Sequence, residues 1–409
     1  MSSASPSRRP WLRRWFLRTC AVLAVVSVAL AGWDAATYDA RAWLADYARI
    51  KQGMAQGYAN LDWVAQQRRV DLAALDRRTS HALANAHSRV RAFFVLREFV
   101  RAFNDPHLRL QPQQPAAPAG AGTVGDVVEQ VANAQLAAVA SCEAAGYEEG
   151  DHRYGLDVTQ LPGWQPLQDG TFPIGIAGDV GVLRIAQFGE DRYLTACHKA
   201  FRPTLDARAL QLSVREELQE QLRQRLALLQ ARGAKRLLVD VSGNGGGSEW
   251  VSEVTTLMTD RPLSRAAPRL VAPACDRGGV WRNKINCPVF APAAPSESLQ
   301  GVGAWRGPLM ILSDGGTASA SEDFIAWLQQ NRVATVIGER TMGAGCGYVD
   351  GGTRVALREL PLEVVMPNCA RFLENGRNEI EGIRPDVPLI VSAKDAPERL
   401  SQAIEAASD

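Results

Sequence analysis

The sequence predicts an α/β protein preceded by a helical segment, and three observations carry that prediction. Two stretches, RLLVDVSGNGGGSEW (236–250) and GPLMILSDGGTASASEDFIAWLQQ (307–330), each read as a short apolar strand, a glycine-bearing turn and a helix. Residues 180–188 (VGVLRIAQF) alternate like a further strand. Residues 34–104 are rich in Ala, Leu, Arg and Gln, with apolar positions recurring at helical spacing.

A chain of 409 residues is long enough for more than one cored unit. Its net charge of +1 gives no field that would draw nucleic acid or an acidic partner. The positive charge is almost all arginine, and the lysines are only Lys51, Lys199, Lys235, Lys284 and Lys394. At the N-terminus, SRRPWLRRWFLR is a basic region, CAVLAVVSVALA a short apolar run, and Ala29-Leu30-Ala31 a small-residue cleavage site. Residues 1–31 are therefore expected to be a secretory signal peptide, with an uncleaved anchor as the alternative and the one route to a membrane. Beyond Cys20 lie six cysteines, an even number that in an exported chain suggests disulfides. The near-neighbour pairs Cys142–Cys197, Cys275–Cys287 and Cys346–Cys369 are expected, and no CxxC spacing asks for zinc or another metal.

Residues 34–111 form the expected helical N-terminal domain. Its last helix carries Phe93, Phe94, Val95, Leu96, Phe99 and Val100, is stopped at Pro106, and gives way to the strand His107–Leu110. Residues 112–172 read as a linker and a poorly defined insert: PQQPAAPAGAGT cannot bury a core, and a helix is expected near 127–139. Residues 173–395 hold the strand–loop–helix core. Within it Ser213-Val214-Arg215-Glu216 reads as a capping box opening a helix that closes at Gly233, and residues 249–258 as the helix after the glycine turn. Residues 396–409 are read as a C-terminal tail. The turn SGNGGG lacks the Gly-Lys-Ser/Thr of a phosphate loop and the third glycine of a dinucleotide fingerprint. Its bare N–H groups can still face an anionic oxygen.

Ser319 and Ser321 sit where the second strand becomes a helix, beside unsatisfied N–H groups and the positive end of the helix dipole. That placement suits acyl transfer, and it equally suits capping. A serine nucleophile needs a base, and imidazole, with an ordinary pKa of about 6.5, is the fitting one. Of the five histidines, His81 and His87 lie in an Arg/Ala-rich helix, His152 in a charged irregular stretch, and His198 beside Cys197. His107 alone stands at a helix-to-strand corner.

VDVSGNGGG followed by GGTASASEDF and GERTMGAG resembles the C-terminal-processing, or tail-specific, serine peptidase family; residues 180–395 are covered and NDPHLRL fits as well. The resemblance implies a crotonase-like (ClpP/crotonase) α/β core with Ser319 as nucleophile. It implies an oxyanion hole from the Ala320 N–H and one from Gly246 or Gly247. The better-known branch carries a lysine base where this chain has Ala344, and no lysine lies between Lys284 and Lys394. The sequence is instead similar to the tricorn-like branch, including relatives of the interphotoreceptor retinoid-binding protein. That implies His107 as base and Glu381 as the group orienting it, with Glu379 the neighbour most easily confused with it. The implied activity is that of an exported, periplasmic or extracellular serine endopeptidase acting on polypeptides without a cofactor or metal. No PDZ domain is recognisable, since residues 124–172 are too short for one. A non-catalytic ligand- or peptide-binding protein on the same scaffold is the alternative, and an acyl-CoA enzyme a third that an exported chain disfavours.

Overall fold

Apolar runs too short for helices and covered on both sides can only be interior strands. In chain order the strands are β1 (Arg109–Pro112), β2 (Trp164–Gln168), β3 (Ile174–Ala177), β4 (Val180–Arg184), β5 (Arg236–Asp240), β6 (Pro262–Arg265) and β7 (Arg269–Leu270), followed by β8 (Glu297–Gln300), β9 (Leu309–Ser313), β10 (Ala334–Gly338), β11 (Thr353–Ala356), β12 (Leu362–Met366), β13 (Cys369–Ala370) and β14 (Val387–Pro388). The helices are α1 (Pro10–Ala36), α2 (Ala40–Gly57), α3 (Leu61–Gln67), α4 (Leu72–Ala84), α5 (Arg89–Arg101), α6 (Leu194–Ala200), α7 (Ala207–Ala231), α8 (Trp250–Leu257), α9 (Ala320–Gln330) and α10 (Ala396–Ala406). The structure is a computed structural model that describes residues 10–113, 138–272, 277–284, 287–390 and 394–407.

The central sheet has seven strands in the order β14-β10-β9-β5-β4-β3-β2. β4, β5, β9, β10 and β14 are parallel, and β3 and β2 close one end antiparallel. Because successive side chains point to opposite faces, Leu237 and Val239 pack under α7, α8 and α9. Leu238, Met310 and Leu312 pack on the other face, against Leu400, Ala403 and Ile404 of α10. Residues 396–406, expected as a tail, thus form a helix that covers the sheet.

α7 begins earlier than the expected capping box at Ser213. Asp206 is its N-cap, accepting from Ala209 N–H at 2.8 Å, and Ser213 lies inside the helix. The helices α2–α5 form where expected and share a core with the sheet β1-β12-β11: Tyr47, Met54 and Phe99 are buried together with Val364 and Met366. Cys142–Cys197 and Cys346–Cys369 are disulfide-bonded as expected. The pair involving Cys275, and most of the helix expected at 127–139, fall outside the described residues. Among the described residues no helix is long and apolar enough to cross a membrane.

This topology positions the site. The turns after β5 and β9 leave adjacent parallel strands at the same end of the sheet, where open α/β sheets place their clefts.

Candidate active site

The turn after β5 is fastened from below. Asp240, fully buried, pairs with Arg184 at 3.1 Å and accepts the Ser242 N–H and hydroxyl. Asn244 donates to Ile185 O at 3.0 Å and accepts the Gly246 N–H at 2.9 Å, while its own carbonyl accepts the Ala318 N–H at 3.0 Å. The glycine turn is thereby locked beside the residue that precedes Ser319. Gly246 fits so closely that a Cβ there would lie 2.7 Å from the Ser319 Cβ and 2.8 Å from the Ala320 N. Of the two glycines expected at an oxyanion hole, Gly246 gives its N–H to Asn244, and Gly247 lines the cleft.

Ser319 occupies the corner between β9 and α9 with φ 57° and ψ −116°, a conformation that an L-residue adopts only under constraint. The constraint is Glu322, wholly buried one turn on. Its Oε2 accepts N–H groups from Ser319 (2.9 Å), Ala344 (2.9 Å) and Gly345 (3.1 Å). Its Oε1 accepts the Thr341 hydroxyl (2.6 Å) and the Gly343 N–H (2.8 Å). Burial raises the Glu322 carboxyl pKa, and the donors from Thr341, Ser319 and Gly343 oppose that rise by favouring the anion. Ser321 is fully buried, with no partner for its hydroxyl among the described residues, whereas Ser319 is partly exposed at the cleft.

His107 follows the stop at Pro106. Asp105 Oδ1 accepts its backbone N–H at 3.0 Å, and Asp105 Oδ2 is held by Tyr58 (2.9 Å) and Asn60 (3.3 Å), so this acid fixes the backbone rather than the ring. The ring is oriented by the loop after β10. His107 Nδ1 lies 2.7 Å from Ala344 O, and a carbonyl can only accept, so Nδ1 carries the hydrogen and Nε2 the free lone pair. Gly347 lies so close to the imidazole that a Cβ there would come within 2.8 Å of it, Tyr348 donates its hydroxyl to His107 O, and the two rings meet edge-on at 5.1 Å. Burial drives the His107 pKa down to about 4; the Ala344 carbonyl opposes this, and Arg109 and Arg371 add to it.

His107, Ser319, Ala320 and Gly247 line one cavity of about 540 Å³. Glu381 is not among them and does not orient His107: its carboxylate pairs with Arg377 (3.0 and 3.1 Å), and Nδ1 is already given to Ala344. The reason is local geometry. Residues Glu379–Glu381 form a single 3-10 turn, not the extended stretch that would put both acids on one side. Glu379 is buried against Arg371 (2.7 Å), which reaches the carbonyls of Gly345 (3.2 Å) and Ser319 (3.4 Å). His81, His87 and His198 are exposed, and His152 stacks on Tyr193 at 4.9 Å.

Glu322, Asn244 and Arg371 were not singled out from the sequence. Glu322 alone had a usable signal, since Ser319-Ala320-Ser321-Glu322 has the spacing of a capping box.

A hydroxyl at a constrained strand-to-helix corner and a tied imidazole thus line one cavity. Residues 179–389 match Peptidase family S41, and the chain belongs to that family of serine-type peptidases. The Tail-specific protease of Haemophilus influenzae is 26% identical over 186 residues, 44% of this chain, and the match spans only 24% of that relative. Among solved structures, mature CPAF has a TM-score of 0.61 at 15% identity, covering 89% of this chain and 95% of that one. A putative peptidase from Parabacteroides merdae has a TM-score of 0.53 at 14% identity, covering 91% and 96%. At such identities the structural likeness speaks for the fold.

Proposed function

We propose that this chain is an exported serine endopeptidase that works through a Ser319–His107 pair. The observation that carries this reading is the shared cavity: a constrained serine and an imidazole whose Nε2 is the free nitrogen line the same space. Ser319 Oγ attacks the scissile carbonyl carbon as its proton passes to His107 Nε2, and the carbonyl oxygen becomes the oxyanion. The Ala320 N–H, at the N-terminus of α9, and the Gly247 N–H stabilise that charge. The protonated imidazole then gives its proton to the leaving amine, and water releases the acyl group by the same steps in reverse. The Ala344 carbonyl takes the tautomer-fixing role that a carboxylate plays in other triads.

The core is read as crotonase-like, with a polypeptide as substrate and no PDZ domain to grip its tail. Two disulfides, Cys142–Cys197 and Cys346–Cys369, support an oxidising compartment. A fluorophosphonate probe is expected to label the wild-type protein and to leave Ser319→Ala unlabelled, with loss of cleavage of an unfolded protein substrate. A wild-type protein that binds peptides yet takes no label would instead be a binding protein on this scaffold.

A further inference from the structure

The loop that holds His107 is itself held by a covalent bond. Residues 344–348 surround the histidine: the Ala344 carbonyl accepts from Nδ1, Gly347 leaves no room for a Cβ beside the ring, and Tyr348 contributes its hydroxyl and its ring. Gly343, Gly345 and Gly347 all have positive φ (82°, 64° and 75°), so the loop has little stiffness of its own. The Glu322 carboxylate holds its first half through the Gly343, Ala344 and Gly345 N–H groups, and its second half is supported by the short segment around β13. Asn368 exchanges two hydrogen bonds with Val349 (2.8 and 2.9 Å), Arg371 donates to Gly345 O (3.2 Å), and midway between them Cys369 is bonded to Cys346. Cys369 is fully buried, while Cys346 is partly exposed and lines the substrate cavity. The bond therefore joins the buried brace to the residue directly before Gly347, and a small reductant entering the cavity reaches it.

We propose that the Cys346–Cys369 disulfide is a positioning element for His107 that makes peptidase activity conditional on an oxidising environment, so that the chain stays weakly active wherever its thiols are reduced. A dithiol supplies two electrons and two protons; the S–S bond breaks, Cys346 and Cys369 become thiols, and the dithiol closes to its own disulfide. With the bond open, the loop keeps its hydrogen bonds to Glu322 but loses its covalent tie at Cys346, so Gly347 and Tyr348 hold the imidazole less firmly against the Ala344 carbonyl. The imidazole is then less often aligned with Ser319. This inference rests on the peptidase reading of the site.

The test uses the full oxidised chain and three proteins: wild type, Cys346→Ala/Cys369→Ala and, for comparison, Cys142→Ala/Cys197→Ala. The Cys346→Ala/Cys369→Ala protein is expected to lose about tenfold or more in kcat with a smaller change in KM, as misplacement of a catalytic group predicts. Its far-UV circular dichroism should be retained, and the acid limb of its pH–rate profile should move up toward about 6.5 as the imidazole loosens into water. Dithiothreitol should lower the wild-type rate reversibly and leave that variant's residual rate unchanged. A variant rate within twofold of wild type, or an equal loss on breaking Cys142–Cys197, overturns the proposal. Failure of the fluorophosphonate to label oxidised wild type would instead overturn the peptidase reading beneath it.

Discussion

Ser319 carries its reactivity at an energetic cost. A non-glycine residue at φ 57° and ψ −116° is destabilised by roughly 1–3 kcal/mol, and the position survives because the Glu322 carboxylate fixes the Ser319 N–H. Ser319→Gly is therefore expected to abolish cleavage and raise stability by about 1 kcal/mol, read as a higher denaturation midpoint. An unchanged or lower midpoint would show that the corner is not strained. His107 gives the pH dependence. Its pKa is about 4 in the folded chain, against an ordinary value of about 6.5. The imidazole is then neutral and able to accept a proton far below neutrality, and the acid limb of kcat/KM is expected near pH 4 rather than near 6.5. For stability, the unfolded chain binds this proton first. The contribution of roughly 3 kcal/mol is full above about pH 6.5 and is lost as pH falls to about 4. Urea titrations of wild type and His107→Gln across that window should converge toward its acid end. Residue type and spacing made Ser319 and His107 legible as candidates. The carbonyl partner of His107 lies 237 residues on, which no local pattern encodes, and the backbone angle of Ser319 is fixed by Glu322 together with the loop after β10 that anchors it.

The elements meet at carboxylates more than at the nucleophile. Glu322, on the first turn of α9, gathers the corner after β9 and the loop after β10 onto one side chain, and through Ala344 it connects Ser319 to the carbonyl that orients His107. Glu322→Gln keeps the shape and replaces one acceptor oxygen with a donor, setting N–H against N–H in a buried space. The expected cost is about 2–4 kcal/mol of stability, with kcat falling by tenfold or more. Chemical denaturation and steady-state kinetics on the same preparation check both, and a variant with normal kcat would remove Glu322 from the support of the site. The strands β4, β5 and β9, the two strand–turn–helix units and the stop at Pro106 were readable, because each rests on local periodicity or on a breaker residue. The helix start at Asp206 and the 3-10 turn at Glu379–Glu381 were not. Asp206 lies in a stretch with no periodicity ahead of it. The turn is set by Asn378, whose side chain accepts the Ile380 N–H (3.1 Å) and donates to Asn60 (2.9 Å), far away in the N-terminal region. That one turn separates Glu379, locked on Arg371, from Glu381, left on Arg377.

At the scale of the molecule, the N-terminal helices and the C-terminal half of the chain share one buried core. Tyr47, Met54, Phe99 and Phe103 are buried in one cluster with Val280, Trp281, Val364 and Met366. Gly57 sits against β11 so tightly that a Cβ would come within 2.0 Å of the Thr353 hydroxyl. His107 follows the last of the N-terminal helices and lines the same cavity as Ser319. The sequence showed an amphipathic helical segment without showing what its apolar face covers, because β11 and β12 are too short and too distant in sequence to advertise themselves as its partner. Arg277 is the polar counterpart of that packing. Its buried guanidinium donates to Ala55 O (2.9 Å) and Tyr58 O (2.9 Å) at the end of α2, and at 3.4 Å to Met54 O, which also accepts the Tyr58 N–H. Arg277→Met is expected to cost about 2–4 kcal/mol, since the buried Ala55 and Tyr58 carbonyls lose a charged donor. Because the packing is continuous, the loss should appear as a lower midpoint of one unfolding transition, followed in parallel by far-UV dichroism and by fluorophosphonate labelling of Ser319. A variant in which α2–α5 melt first while Ser319 keeps its reactivity would mean that the helical segment is a separate unit, and that the imidazole it carries is not needed at the serine.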